Sequence, residues 1–325
     1  MLRRVAAVAV VAACGAAAAQ PALYSNASSI PGAPALSAAM VTVSGVAAPA
    51  GGMWSEVGAV DAMSGNALAG VACQADSAGG VRVADDFVVP AGQVWSLERL
   101  AVFVYEPGRV GAGPPVIGGT LRVWQGSPAA GGLPVFGDTG TNRLHGVEAT
   151  GVYRVFSTIA GTPTEAPGVS RPLYRVELDM PVQLGAGVYW VDWELTPATP
   201  GAWLFAVPAT VLGERTGEGW NAQQFLDGSW RPVMDPGRPV GAGEVALDMA
   251  FVLLGAGTAG CDTVDFNGDE ILPDIQDIAD FLTVFAGGPC PTGACHDIDF
   301  NNDGLFPDTQ DIASLLGVFA GGPCV

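Results

Sequence analysis

The sequence predicts a mainly β protein, an antiparallel β-sandwich or jelly roll, followed by a small α-helical module. Two observations lead to this prediction. Between residues 81 and 254, short segments that alternate apolar and polar residues are separated by turns rich in Gly and Pro, of which the chain has 46 and 25. Beyond residue 260, one unit occurs twice at a constant offset of 34 residues, and each copy contains a helical pattern.

The β segments have the length and spacing of strands in a two-layer antiparallel fold. No stretch of about 10–12 residues between them has helical periodicity, which argues against a parallel α/β sheet. The predicted strands lie at residues 41–44, 95–105, 119–124, 153–156, 173–180, 187–195, 202–207 and 245–253.

The chain is predicted to have five segments. Residues 1–19 are a signal peptide, and residues 20–80 are an N-terminal arm with the first strands. Residues 81–254 form the β-sandwich domain. Residues 255–260, Gly-Ala-Gly-Thr-Ala-Gly, are a flexible linker. Residues 261–325 form the repeat, called the C-terminal module below.

The N-terminus has the order of charge and hydropathy that directs export. Two arginines at residues 3–4 precede an apolar run at residues 5–13, and the alanines at 17–19 form a cleavage site. In a second interpretation, Cys14 ends a lipobox and carries a lipid anchor. Both predict a secreted or cell-surface protein. No later stretch reaches about 18 apolar residues, so no membrane span is expected.

The chain is strongly acidic, with a net charge of −19, and all its 13 basic residues are arginines. This charge argues against nucleic acid as a partner, because nucleic-acid binding needs a basic surface. Residues 260–325 contain 12 Asp and Glu and no Arg. Such a concentration of acids is typical of a disordered tail or of a cation site, and the spacing of the acids distinguishes the two.

Each copy of the repeat reads Asp-Phe-Asn-x-Asp and, after a short connector, Pro-Asp-x-Gln-Asp-Ile. Oxygen-bearing side chains at alternate positions of a flexible loop are the ligands that Ca²⁺ prefers. In each Pro-Asp-x-Gln-Asp-Ile segment, the first Asp is placed to be the N-cap of a helix, and the second Asp lies three residues later in the first turn of that helix. The sequence therefore predicts two Ca²⁺ sites. Their candidate ligands are Asp265, Asn267, Asp269, Asp274 and Asp277 in the first copy, and Asp299, Asn301, Asp303, Asp308 and Asp311 in the second.

The loops depart from an ordinary EF-hand loop in two ways. Counted from Asp299, Asp311 falls at position thirteen instead of twelve, so each loop has one extra residue before the cap. Glu270 stands in the first copy where the second has Gly304 at the sharp turn, which predicts a weaker first site. The backbone carbonyl ligands are expected at Ile271 or Leu272 and at Leu305 or Phe306.

With its two loop-and-helix units, each led by Asp-x-Asn-x-Asp, the C-terminal module resembles a type I dockerin over about 60 residues. The resemblance implies a small α-helical module with two calcium loops. It also implies docking to a cohesin through the helices. In this chain the helix starts carry Ile275-Gln276 and Thr309-Gln310 instead of the Ser/Thr recognition pair of that family.

The β-sandwich domain resembles an uncharacterised secreted family of planctomycete type, which implies no activity. The residues that carry this resemblance are Ala84-Asp-Asp-Phe87 with Pro90, Thr141-Asn-Arg143, Tyr153-Arg154, Arg171-Pro172 and Gly187-Val-Tyr-Trp-Val-Asp-Trp193.

Four cysteines frame the two repeats and predict a disulfide framework in an oxidising compartment. Because the repeats are equivalent, we expect one bridge in each, Cys261–Cys290 and Cys295–Cys324. The alternative is Cys261–Cys324 with Cys290–Cys295. Cys73 is left over and is expected to be a buried thiol, with a bridge to another chain as the alternative.

Other candidate functional residues lie in the β domain. Tryptophans on alternating strands are expected in the core, whereas Trp203, Trp220 and Trp230 lie in turn-rich sequence and are candidates for stacking on a sugar. Asp192 and Glu194 share one strand face, which is expected to be solvated. Neither His145 nor His296 belongs to a catalytic or metal motif, and we expect no enzyme activity.

These observations predict a secreted, non-enzymatic, calcium-binding protein of the cell surface or extracellular space, with a protein or an extracellular polysaccharide as partner. The alternative is a carbohydrate-binding or polysaccharide-degradation component that carries a dockerin-like module. Exposed tryptophans on one sheet face would favour the alternative, and fully packed tryptophans the first.

Overall fold

The fold is taken from a computed structural model of the chain. The predicted signal peptide, Cys14, Asp303 and Cys324 lie outside the described residues, as does the connector of each predicted calcium loop. The described residues are 22–26, 36–58, 61, 63–75, 80–90, 92–109, 113–160, 165–211, 213–269, 274–291, 295–302 and 307–320.

Within these ranges, sixteen strands precede two α-helices, and one 3-10 turn spans Pro128–Ala130. The part of the chain that contains these strands and ends at Gly260 is called the β domain. The strands are β1 (Ala22–Ser25), β2 (Met53–Glu56), β3 (Val71–Ala72), β4 (Arg82–Val89), β5 (Gln93–Tyr105), β6 (Val116–Gln125), β7 (Leu133–Asp138), β8 (Leu144–Val155), β9 (Pro172–Leu184), β10 (Gly187–Pro197), β11 (Phe205–Ala206), β12 (Gln223–Leu226), β13 (Ser229–Pro232), β14 (Met234–Asp235), β15 (Val245–Ala246) and β16 (Phe251–Ala259), and the helices are α1 (Ile275–Phe285) and α2 (Thr309–Phe319).

The strands form two large sheets and one small pair. The first sheet has the order β1-β16-β5-β9-β8-β2, with β11 joined to β5 and β3 joined to β11. The second has the order β13-β12-β4-β10-β6-β7, and β14 pairs with β15. These pairs are antiparallel, except that β2 runs parallel to β8. The prediction of a mainly β chain with antiparallel sheets is confirmed.

One apolar core joins the two large sheets. Val191 and Trp193 of β10 share it with Leu100 of β5 and Leu178 of β9, and all four side chains are fully buried. Their alternation along each strand puts every second residue between the sheets. Each such side chain contributes about 1.5–3 kcal/mol by leaving water.

The N-terminal arm belongs to the first sheet, because β1 pairs with β16 and β2 pairs with β8. The prediction of a strand that starts at Val41 is wrong, because residues 41–44 form no strand. The chain turns back on itself there, with Thr42 N donating to Val46 O at 2.9 Å, and Val41 forms only an isolated bridge with Ala47. A segment that alternates apolar and polar residues forms a strand only where another strand lies beside it to pair with.

The predicted linker also needs correction. Its residues up to Ala259 belong to β16, where Gly255 pairs with Leu97 and Ala259 with Gln93 of β5. A Cβ on Gly255 would lie 2.3 Å from Ser96 O. The small residues that suggest flexibility therefore permit a close backbone approach.

Candidate functional site

The two repeats of the C-terminal module pack on each other around a small aromatic core. Phe266, Phe281, Phe300 and Leu315 are fully buried, and Phe281 contacts both other rings with centroids 5.2 and 6.1 Å away. In the described part of the module, backbone hydrogen bonds cross between the repeats. They join Asp262 N to Phe300 O (2.8 Å) and His296 N to Phe266 O (3.1 Å), which are equivalent positions at the offset of 34.

Each helix begins in a reciprocal capping box. Asp274 is the N-cap of α1, its Oδ1 accepts from Gln276 N at 2.7 Å, and its own N donates to Asp277 Oδ2 at 3.0 Å. In α2, Asp308 N donates to Asp311 Oδ2 at 2.8 Å. These caps satisfy backbone donors that a helix start leaves open.

The same helix carboxylates also contact the start of each loop. Asn267 N approaches Asp277 Oδ1 at 3.5 Å, and Asn301 N approaches Asp311 Oδ1 at 3.4 Å. Both aspartates are fully buried. The extra loop residue therefore does not separate the Asp-x-Asn segment from the helix start.

The side chains of the first loop turn toward one another. Asp265 Oδ1 and Asn267 Oδ1 both accept from Asp269 N, each at 3.0 Å. The Asn267 amide is fixed from behind, because its Nδ2 donates to Asp280 Oδ2 at 3.2 Å. Gln276 Nε2 donates to Asp280 Oδ1 at 2.7 Å.

Asp280 was not among the residues predicted from the sequence. Its signal is an acidic residue three positions after Asp277, on the same buried face of α1, at a position where the second copy has Ser314.

The donors gathered here are carboxylate and amide oxygens, which suit a hard cation such as Ca²⁺. In the part of the chain that the structure describes, no group of three or more His, Cys, Asp and Glu side chains is arranged as a metal site. Residues 270–273 and 303–306 lie outside that part. They include the predicted turn residues Glu270 and Gly304, the predicted ligand Asp303 and the predicted carbonyl ligands.

The expected pairing of one bridge within each repeat is wrong, and the Cys290–Cys295 bridge of the alternative pairing is present. Cys290 is bonded to Cys295, with the two Cα atoms 5.7 Å apart. Cys261 is also disulfide-bonded. After α1 the chain turns at Gly287, which has a φ of 82°, and passes directly into the second repeat. Since the repeats pack on each other, the end of one lies beside the start of the next, and a short bridge closes there.

The eight tryptophans differ in exposure. Trp54, Trp95, Trp190 and Trp193 are buried, whereas Trp124, Trp220 and Trp230 are half-buried. Trp220 packs against the core that joins the sheets. The ring centroids of Trp230 and Phe225 are 5.3 Å apart.

Trp203 is the exposed one, with 57 % of its surface accessible. It stacks on Phe205, whose ring in turn stacks on Tyr105, with centroids 6.3 and 5.5 Å apart. A cavity of about 620 Å³ beside it is lined by Glu106, Pro107, Ala202, Trp203 and Phe205.

Asp192 and Glu194 lie on the outer face of the second sheet, but the prediction that this face is solvated is wrong. Asp192 is fully buried and Glu194 is 8 % exposed. Arg82 pairs with both, at 2.8 Å from Glu194, and Arg122 Nε lies 2.9 Å from Asp192. Trp124 Nε1 also donates to Asp192 at 2.5 Å. Neighbouring strands supply the arginines, so these carboxylates hold a buried ion-pair network.

A second acidic cluster joins β1, β4 and the segment before β16. Asp85 Oδ2 accepts from Asn26 Nδ2 at 2.9 Å and from Met249 N at 2.6 Å, and Asp248 Oδ1 accepts from Asn221 N at 2.7 Å. Burial raises the pKa of Asp85 well above its usual range, and the nearby Asp248 raises it further. Burial likewise raises the pKa of Asp248 to about 7.

Other titratable groups have structural surroundings. Cys73 is buried and free, as predicted, and burial raises the pKa of its thiol to about 12. His145 Nδ1 lies 2.9 Å from Asp179 on the surface. Arg154 is buried and donates to Ser55 Oγ and to the Ala69 carbonyl, both at 3.0 Å.

The comparisons with known proteins add no relative: no family model, no curated protein and no solved structure matches the chain. Among the described residues, neither helix has the length and apolar character needed to cross a membrane.

Proposed function

We propose that this chain is an exported, non-enzymatic calcium-binding protein, in which a β domain carries a dockerin-like module stiffened by two Ca²⁺ ions. The observation that carries this proposal is the pair of buried aspartates, Asp277 and Asp311. Each accepts from its N-cap backbone and reaches the Asp-x-Asn segment of its own loop.

A cation would supply what this arrangement lacks, which is positive charge. The module carries 12 acidic residues and no Arg. The carboxylates of Asp265, Asp269 and Asp277, with the amide oxygen of Asn267, would hold the ion in the first loop. Their second-copy counterparts would hold the other. When bound, Ca²⁺ offsets carboxylate repulsion and fixes the loop to the helix start.

The test is calorimetry of the full mature chain in calcium and in chelator. Binding to the folded state alone raises the melting temperature by mass action. We expect the module transition to move up in calcium, and the double variant Asp277→Asn/Asp311→Asn to lose that shift. Asp227→Asn, an exposed acid between β12 and β13, is the matched control and should keep it. Identical melting in both buffers would refute the calcium proposal.

As to partners, we propose a cell-surface or extracellular role in which the module is a rigid adaptor for another protein. Its helices carry exposed apolar residues, Ile275 on α1 and Leu316 on α2. For the β domain we propose a jelly roll, because β4, β10 and β6 are neighbours in one sheet while β5, β9 and β8 are neighbours in the other.

A second candidate function is carbohydrate binding, and the exposure of Trp203 favours it. A flat aromatic ring held from behind by Phe205 offers a rigid apolar platform, and the cavity beside it has the size of small-ligand sites. The apolar face of a pyranose ring would stack there, with Glu106 at the rim.

A glycan array probed with the mature chain tests this candidate. We expect Trp203→Ala to abolish any bound signal and Trp230→Ala to retain it. Binding that survives Trp203→Ala, or an array with no signal, would refute a sugar site at Trp203.

A further inference from the structure

The two calcium loops differ at one position that has a left-handed backbone in both. Gly268 has a φ of 69°, and its counterpart at the offset of 34, Asn302, has a φ of 53°. Glycine adopts this conformation without cost, and asparagine is among the side-chain residues that tolerate it best. The loop therefore requires the conformation, and the second copy adds an amide side chain to it.

That amide spans the junction between the module and the β domain. Asn302 Nδ2 donates to Gly260 O at 2.8 Å and to Asp262 Oδ1 at 3.0 Å. The amide also lies against Gly92 in the turn between β4 and β5, where an added Cβ would come within 3.0 Å of Asn302 Cγ. Gly260 N in turn donates to Gly92 O at 2.5 Å.

We infer that Asn302 is a latch that fixes the second repeat, through Gly260 and Gly92, against the β domain. A latch at this place couples the second loop to the orientation of the module, because Asn302 directly follows the candidate ligand Asn301. The first loop has no such side chain at Gly268. The coupling to calcium rests on the proposed function, whereas the latch itself rests on the contacts of Asn302.

The variant Asn302→Gly tests the latch cleanly, since glycine keeps the left-handed backbone and copies the residue of the first repeat. Gly268→Asn is the matched control, because it places the same side chain in the other copy. Hydrogen exchange of the full mature chain, in calcium and in chelator, reports on peptides covering residues 255–262, which include the Gly260 amide.

We expect exchange in this segment to be about tenfold faster in Asn302→Gly than in the wild type, which corresponds to the loss of two hydrogen bonds. Gly268→Asn should match the wild type. In calcium, the wild type should gain protection over residues 255–262, and Asn302→Gly should gain it only in peptides of the loops themselves.

The outcomes separate the two proposals. Equal exchange over residues 255–262 in the wild type and Asn302→Gly would overturn the latch, whatever calcium does. An unchanged pattern between calcium and chelator in every peptide would overturn the calcium site. In that case, the comparison of the wild type with Asn302→Gly in a single buffer would still show whether Asn302 acts as a latch.

Discussion

The β domain and the C-terminal module are held together by different means. In the β domain, an apolar core joins two sheets, and buried carboxylates pair with arginines or accept hydrogen bonds from amide groups. Among its described residues, the module buries a core of Phe266, Phe281, Phe300 and Leu315, and it has no basic side chain except His296. It relies on capping boxes, disulfides and, in our proposal, cations. A large core can hold buried charge, whereas a small module needs cross-links or ions.

The largest expected effect breaks only the β domain. Asp192→Asn leaves Arg122 without a carboxylate and Arg82 with Glu194 alone in a largely buried site, so we expect a loss of about 3–5 kcal/mol in unfolding free energy. Urea unfolding of the full mature chain, followed by tryptophan fluorescence, measures it. The control is Asp179→Asn, whose pair with His145 is half-exposed and should cost less than about 1 kcal/mol. Equal losses for both variants would contradict the network.

The next effect is confined to the module. Replacing Cys290 and Cys295 by serine opens a short loop, and the entropic model gives a loss of about 2 kcal/mol. We expect the module transition to fall in calorimetry while the β-domain transition stays in place.

Peptide mapping without reduction checks the pairing itself. We expect Cys290–Cys295 and, because Cys261 is bonded and Cys73 is free, a second bridge from Cys261 to Cys324. A Cys261–Cys290 peptide would contradict the fold of the module.

The third effect is a pH dependence of the β domain. Burial raises the folded-state pKa of Asp248 to about 7, above that of an unfolded Asp, so the folded state keeps a proton that the unfolded state releases. The contribution of Asp248 to the free energy of unfolding is therefore fully present at low pH. It falls as pH rises between about 4 and 7, by at most about 1.4 kcal/mol per pH unit for one proton.

Asp248→Asn should reduce this slope in urea unfolding measured across that range, and the slope that remains belongs to Asp85, whose pKa burial also raises. Asp227→Asn, an exposed acid, should leave it unchanged. A slope in Asp248→Asn as steep as in the wild type would contradict the contribution of Asp248.

The smallest effect distinguishes the two loops. The second copy has Gly304 at the turn where the first has Glu270, so we expect the second site to bind Ca²⁺ more tightly. In titration calorimetry, Asp299→Ala should then lower the affinity of the tighter phase about tenfold, or about 1.4 kcal/mol. Asp265→Ala should affect only the weaker phase, and the reverse order would contradict the assignment.

Much of the fold could be predicted because local patterns dictate it. The alternation in β5 and β10 marks strands whichever partner they find, and Asp274 and Asp308 mark helix starts three residues before a second acid. The strand expected from Val41 and the linker expected after Leu254 failed for the opposite reason. Pairing depends on which strand lies alongside, and composition does not contain that information.

By itself, the sequence determined the mainly β class, the duplicated unit and its oxygen-rich loops, since each follows from periodicity or from an offset read along one chain. Only the tertiary structure decided which groups meet. It paired Cys290 with Cys295, surrounded Asp192 with arginines from neighbouring strands, and laid Asn302 on the turn of Gly92. The physical reason is that charge compensation, cross-linking and side-chain contact depend on distances in space, which residues far apart in sequence share only after the chain has folded.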